Sequence, residues 1–328
     1  MTTRRRGQAR ATVRPLPPSF EPYAWAPSTA AIAELAGIRP DQVLRFDGNT
    51  PPVGHARLEQ LAEAVATVHR YPHGGYPRIH EEIAEYAGVE PENVVLGAGA
   101  DDLLMLCARA FAGPGDQVDV RDEPVYAVIR GSVHLAGADV GTEDPVVTFV
   151  CRPHNPSGAL VDLPGARPLV VDEAYFEYAG GETAATLIDD GVVVIRTFSK
   201  AFALAGARIG YALADIERAK ELRTRQSPAP VSTLSVALAL AGLASPPDIG
   251  PTIDERERLA ERLRSIGLEP LPSATNFVSV QVEGAAELAH ALLREGLAVR
   301  PSGSGIRITV NEPAADDVLV AAIDRLRG

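Results

Sequence analysis

The sequence predicts an α/β fold: a doubly wound, mainly parallel sheet with a smaller α+β domain at the C-terminus. Three observations carry this. Stretches rich in β-branched residues, the apolar runs Val94–Leu96, Val146–Val150, Leu169–Val171 and Val192–Ile195 and the strand-like Val118–Val120, have the length of buried strands. Stretches with helical spacing of apolar residues lie between most of them, the pattern of parallel strands joined by crossovers. From Ala229 the order changes to helices mixed with short strands, which marks a second unit.

With 328 residues, 46% of them hydrophobic, the chain can bury a large core. The net charge of −12 argues against general binding to nucleic acid or an acidic membrane. Arg4-Arg5-Arg6 reads as the solvated tip of a disordered tail, and no apolar run follows it as a signal peptide requires. No run reaches the roughly 18 apolar residues of a membrane span. Cys107 and Cys151 stand in apolar surroundings without metal-ligand spacing, so buried free thiols in a reducing cytoplasm are expected.

In chain order, residues 1–44 form a proline-rich arm that cannot fold alone. Ser28 is placed to cap a short helix ending near Ala36. Asn49, Pro51 and Pro52 put a loop in residues 45–56, which open the large domain (45–230). Leu58, Leu61, Ala62, Val65 and Val68 repeat at helical spacing. A polar, aromatic turn, Arg70-Tyr71-Pro72-His73-Gly74-Gly75-Tyr76-Pro77, follows. An amphipathic helix from Ile79 then ends at Ala87, with Gly88 as its stop. Further helices are expected over 125–135, 232–244, 252–266, 285–295 and 315–326. Strands are expected over 277–282 and 305–310, within a small domain spanning 231–328.

Polar residues gather at the carboxyl ends of the apolar runs, where ligands of open α/β sheets bind. After Val94–Leu96 comes Gly97-Ala98-Gly99-Ala100 and a helix opening on Asp101 and Asp102. That turn suits either an anion held on free N–H groups or tight packing. Asn155 follows the next run but one, and Asp172 ends Leu169-Val-Val-Asp-Glu-Ala-Tyr175. Asp172 reads either as the cap of the following turn or as the partner of a cationic cofactor ring, an attraction of roughly 4 kcal/mol at an effective dielectric of ~20. Such an acidic strand also occurs in P-loop ATPases, but the required glycine-lysine loop is absent upstream. Val192–Ile195 runs into Thr197, Ser199, Lys200 and Arg208. Two hydroxyls and a guanidinium suit a phosphate, and a lysine held near a cation is an activated amine nucleophile. Arg300 and Arg307 flank a glycine-serine turn near the C-terminus.

Together, Val-Val-Asp-Glu-Ala-Tyr175 and Arg196-Thr-Phe-Ser-Lys-Ala-Phe-Ala-Leu-Ala-Gly-Ala-Arg-Ile-Gly210 resemble the class I/II aminotransferases of pyridoxal-phosphate fold type I, and within them the histidinol-phosphate aminotransferases. The resemblance runs from about Tyr23 to the C-terminus. It implies a pyridoxal 5′-phosphate cofactor bonded to Lys200, which would also move protons between the substrate Cα and the cofactor C4′. Asp172 would hold the ring nitrogen, Asn155 and Tyr175 the ring oxygen, and Tyr126 would stack on the ring. The backbone of Ala100 and Asp101, with Thr197, Ser199 and Arg208, would hold the phosphate. Tyr71 would reach the cofactor phosphate of a second subunit in a homodimer. Arg307 would grip the substrate carboxylate, with Arg300 and Tyr23 at the distal end and Asn155 nearby. The implied reaction is amino transfer from histidinol phosphate to 2-oxoglutarate in the cytoplasm. Aromatic amino-acid transamination and, more distantly, threonine-phosphate decarboxylation are the alternatives on this scaffold.

Departures from the family pattern fall near the pocket. Ala100 stands for a serine, Asp102 for a glutamate, Ala203 for a glycine, and His154 and Pro51 for asparagines. The stretch between Gly137 and Asp172 is shorter than usual. A cofactor-binding transcription regulator of the same fold is not expected, because only about 20 residues precede Phe20, too few for a DNA-binding module.

Overall fold

The computed structural model describes residues 16–52, 61–72 and 75–327. Arg4–Arg6, Leu58, His73 and Gly74, read above as tail, helix and turn, lie outside these residues.

Helix α1 (Thr29–Ala36) starts at Ser28, whose hydroxyl accepts from the Ala31 N–H at 3.2 Å, and stops at Gly37 in the left-handed region. Strand β1 (Leu44–Arg45) breaks what the sequence reads as the start of a loop. It pairs with residues 297–298, and the next residue, Phe46, is buried among C-terminal side chains. Two residues are too short for a sequence period to show, and tertiary pairing decides. Helices α2 (Ala62–Thr67) and α3 (Pro77–Ala87) follow, the second ended by Gly88 at φ +71°. Then come β2 (Val94–Gly97), α4 (Ala100–Phe111), β3 (Gln117–Val120), α5 (Ala127–Ala136), β4 (Asp139–Val140), β5 (Val147–Cys151), β6 (Leu169–Asp172) and β7 (Val192–Thr197).

Two longer elements also escape the sequence reading. β8 (Gly210–Leu213) is a four-residue strand directly behind the glycine-bearing turn, and α6 (Ile216–Arg225) is capped by the Asp215 carboxylate. The seven strands lie in the order β2-β8-β7-β6-β5-β3-β4, parallel except for β8, which runs antiparallel to both neighbours. Alternation along the strands builds two cores. Val94, Leu96, Val171 and Val194 face the side that also holds Ile79 and Ile83 of α3 and Ala239 of α7 (Thr233–Ala244). Val95, Val170, Val193 and Ile195 face the opposite side with Leu103, Leu104 and Ile129.

The C-terminal part contains α8 (Gly250–Ser265), β9 (Phe277–Gln281), α9 (Ala285–Leu293), β10 (Leu297–Ala298), β11 (Arg300–Ser302), β12 (Gly305–Thr309) and α10 (Pro313–Arg327). Its antiparallel sheet has the order β11-β12-β9 and covers a third core of Leu259, Val278, Ile308 and Leu319. Among the described residues, no helix is long and apolar enough to cross a membrane.

Candidate active site

The carboxyl ends of β2, β5, β6 and β7 converge with the β11–β12 hairpin. Register puts Cys151 beside Asp172 and Asp172 beside Ile195, so the polar residues after each strand meet at one level. Lys200 lies in the turn after β7, with its Nζ 5.6 Å from the centre of the Tyr175 ring. Burial first, then the positive charge of Arg307, pull its ammonium down from 10.5 to about 8, against the opposing pull of Asp101 and Asp172. An amine group is therefore accessible near neutral pH.

Asp172 is 3% exposed. Its Oδ1 accepts from the Ala174 N–H at 3.1 Å, and among the described residues its Oδ2 meets only the Cys151 thiol, at 3.8 Å. Burial raises its carboxyl to about 7. A desolvated carboxylate this poorly paired fits a cationic ligand atom, which would return it to the ionised form. Burial, and next the Asp172 charge, push the Cys151 thiol well above its usual range. Cys107 is buried too, and burial takes its thiol up to about 12, so both cysteines are inert thiols as expected.

A cradle for an anion lies at the start of α4. Gly99 caps the helix at φ +89°, and a Cβ there would sit 2.8 Å from Arg208 Nη2. Gly210 gives the same closeness from β8, since a Cβ would approach the Arg196 carbonyl to 2.7 Å and the Gly99 backbone to 3.1 Å. The Thr197 hydroxyl donates to Ser199 Oγ at 2.9 Å and accepts from the Ser199 N–H. Arg208 donates to Asp101 at 3.1 Å, and the Tyr126 hydroxyl donates to the other oxygen of the same carboxylate at 3.0 Å. Ala100, Asp101, Thr197, Ser199 and Arg208 are thus drawn together, with helix N–H groups, hydroxyls and a guanidinium facing one space.

Across the space, Arg307 donates from Nη1 to Asn155 Oδ1 at 2.7 Å and from Nη2 to the Asp47 carbonyl at 3.2 Å. Its Nε is buried and, among the described residues, has no partner, a donor that fits a carboxylate or phosphate oxygen. Arg300 stands directly opposite Arg307 in the hairpin register. It donates to the Ala24 carbonyl at 2.9 Å and lies 6.0 Å from the Tyr23 ring. Tyr23 lies edge-on to Trp25 at 5.2 Å and to Tyr126 at 6.5 Å. Tyr71 is 90% exposed and apart from this cluster.

Three features have no counterpart in the sequence reading. Asn49, read as a loop residue, is 1% exposed and donates to the Tyr175 hydroxyl at 2.8 Å. A polar side chain just before a double proline was the available signal. Cys151 lies against Asp172, which needs the β5–β6 register to be seen. Glu173 and Arg196 form a buried ion pair at 3.0 Å beside Asp172 and Thr197 in sequence, with the Arg196 guanidinium 3.5 Å above the Phe176 ring.

The sequence matches the model of the family "Aminotransferase class I and II" over residues 42–144 and 141–323. It is 33% identical over 336 aligned positions to histidinol-phosphate aminotransferase 2 of Methylococcus capsulatus, covering 87% of this chain and 90% of that one. It is 32% identical over 323 positions to the histidinol-phosphate aminotransferase of Caldanaerobacter subterraneus subsp. tengcongensis, covering 85% and 92%. Among solved structures, histidinol-phosphate aminotransferase from Sinorhizobium meliloti in complex with pyridoxal-5′-phosphate is similar at a TM-score of 0.82 and 27% identity, over 94% of this chain and 96% of that one. L-threonine-O-3-phosphate decarboxylase from Porphyromonas gingivalis shares the fold at a TM-score of 0.74 and 20% identity, over 87% and 99%.

Proposed function

This chain belongs to the aminotransferase class I and II family, and we propose that it is a pyridoxal 5′-phosphate enzyme moving an amino group from histidinol phosphate to 2-oxoglutarate. The residues fit that cofactor: a poorly paired buried carboxylate for the ring nitrogen, an anion cradle at α4 and an amine of lowered pKa between them. When bound, pyridoxal 5′-phosphate supplies an aldehyde carbon that condenses with amines and a ring that draws electrons from the substrate Cα.

Each residue then has a task. Lys200 would hold the aldehyde carbon and, as a free amine, would move a proton at the substrate Cα. Asp172 holds the ring nitrogen protonated. Asn155 and Tyr175 hold the ring oxygen, and Tyr126 stacks on the ring. Ala100, Asp101, Thr197, Ser199 and Arg208 hold the phosphate. Arg307 grips the carboxylate of the 2-oxo acid through its Nε, which has no partner among the described residues, and neighbouring N–H groups. Arg300 and Tyr23 take the distal end of the substrate.

The observation that carries the substrate reading is the cross-strand pair Arg300 and Arg307 at the mouth. Two guanidinium groups side by side suit a phosphate ester in one half-reaction and the two carboxylates of 2-oxoglutarate in the other. The aromatic group Tyr23, Trp25 and Tyr126 supports a second reading, transamination of aromatic amino acids. A homodimer is part of the proposal, with the exposed Tyr71 reaching the partner's cofactor phosphate. So are a large domain over 45–230, a small one over 231–328 and a cytoplasmic location. Borohydride trapping of the loaded protein followed by peptide mass mapping tests the cofactor assignment. The label is expected on Lys200, and a label on another lysine refutes it. Arg300→Gln tests the substrate assignment. It should raise KM for histidinol phosphate far more than for tyrosine, and an equal effect on both removes Arg300 from the phosphate.

A further inference from the structure

Asn49 has side-chain and backbone properties that its place in a proline-rich loop does not explain. It sits at φ +50°, a left-handed conformation that asparagine tolerates better than other side chains bearing a Cβ. It is held there from both sides. Its N–H donates to Thr309 Oγ1 at 2.9 Å, and its carbonyl accepts from Asn276 Nδ2 at 3.1 Å.

The amide orientation follows from its partners. The Thr309 hydroxyl donates to Asn49 Oδ1 at 3.0 Å, so Asn49 Nδ2 is turned to the Tyr175 hydroxyl at 2.8 Å. The reverse orientation would leave the Thr309 hydroxyl hydrogen without an acceptor, in a residue only 2% exposed. Asn155 is fixed the same way. Arg307 can only donate, so Asn155 Oδ1 faces Arg307 and Asn155 Nδ2 faces Tyr175, at 3.3 Å. The Tyr175 oxygen therefore receives two N–H groups, one from each side. A phenol oxygen has two lone pairs and one hydrogen. With both lone pairs engaged, the hydrogen is the remaining function, and among the described residues nothing accepts it. Lys200 Nζ lies 5.6 Å from the centre of the same ring, so the tyrosine borders the space that holds the lysine.

We infer that Asn49 is a positioning residue of the active site: with Asn155 it occupies the lone pairs of Tyr175 and so holds the phenol as a hydrogen-bond donor to the cofactor's ring oxygen. This rests on the pyridoxal-phosphate reading and deepens it. It extends the site to Thr309 of β12, so that the donor role of Tyr175 depends on a hydroxyl on the C-terminal sheet.

The test uses the loaded enzyme and reads the pH midpoint of the bound cofactor's visible absorbance. A donor to the ring oxygen favours the form with more negative charge on that oxygen, which is the deprotonated form, and so holds the midpoint down. Asn49→Gly keeps the left-handed backbone and removes only the amide, whereas Asn49→Ala would add strain at φ +50°. Asn49→Gly should raise the midpoint by about half a pH unit. Tyr175→Phe should raise it further, and the double variant no further than Tyr175→Phe alone. An unchanged midpoint in Asn49→Gly, or a shift that adds fully to that of Tyr175→Phe, overturns the inference. Thr309→Val, which frees the Asn49 amide to turn, should shift the midpoint in the same direction, with Thr309→Ser restoring it. If Thr309→Val has no effect, the inference falls. A cofactor-free readout separates this from the functional reading. With 13C-labelled tyrosine, the Tyr175 resonance of the cofactor-free protein should move in Asn49→Gly. A protein that takes up no cofactor but shows that movement refutes the aminotransferase reading and keeps the Asn49–Tyr175 link, whereas an unmoved resonance refutes the link.

Discussion

Lys200 gives the prediction with the most direct arithmetic. Its ammonium is brought from 10.5 to about 8, by burial first and Arg307 second. At about pH 7.5 such a group is roughly one-quarter free amine, against about one part in a thousand for an ordinary lysine. The reactive fraction is thus raised on the order of 200-fold. The assay is the rate of cofactor uptake by the cofactor-free protein, followed by visible absorbance at subsaturating cofactor across pH. The rate should rise with a midpoint near the value of about 8 for Lys200, levelling above it. Arg307→Leu removes a cation and so should move that midpoint upward, while Asp172→Asn removes an anion and should move it downward. Shifts in the opposite directions, or a midpoint at the ordinary lysine value in all three proteins, would refute the electrostatic account of the nucleophile.

The other predictions concern pairing and close approach. In the cofactor-free protein, Asp172 has a folded-state pKa of about 7 against 3.8 unfolded, so its burial costs stability progressively as pH rises between those values. Asp172→Asn should therefore raise the Tm of cofactor-free protein more at pH 8 than at pH 4, while weakening cofactor retention in dialysis. Breaking the buried Glu173–Arg196 pair with Glu173→Gln leaves the guanidinium short of its counter-charge and should cost about 3–5 kcal/mol in chemical denaturation. The double change Glu173→Leu with Arg196→Met should recover much of that loss. Gly99→Ala meets both a positive φ and the Arg208 guanidinium at 2.8 Å, and should weaken cofactor affinity by about tenfold in equilibrium dialysis.

Most of the sheet was legible because its strands are short stretches rich in β-branched and other apolar residues on a buried lattice, clearest at Val192–Ile195. Ser28 and Gly88 were legible because caps are local chemistry. What stayed hidden was set by pairing. Leu44–Arg45 is a strand only because residues 297–298 lie beside it, and β8 is a strand only because it fills the gap between β2 and β7. The site followed the same division. Asp172 ends β6 and Lys200 follows β7, both strands that the sequence displays, so their meeting follows from the sheet, and Arg208 lies in the same stretch eight residues after Lys200. Asn49 reaches Tyr175 across 126 positions, and Glu173 meets Arg196 across 23, contacts that no local pattern encodes.

The central claim is that the paired arginines of the β11–β12 hairpin receive a phosphate-bearing amine. The measurement that meets it head-on compares kcat/KM for histidinol phosphate, phenylalanine and tyrosine with 2-oxoglutarate as acceptor, on cofactor-loaded protein. A preference for histidinol phosphate of about tenfold or more is expected, with glutamate and the keto product formed in equal amounts. A preference for the aromatic amino acids, or release of carbon dioxide from threonine phosphate without amino transfer, would contradict it.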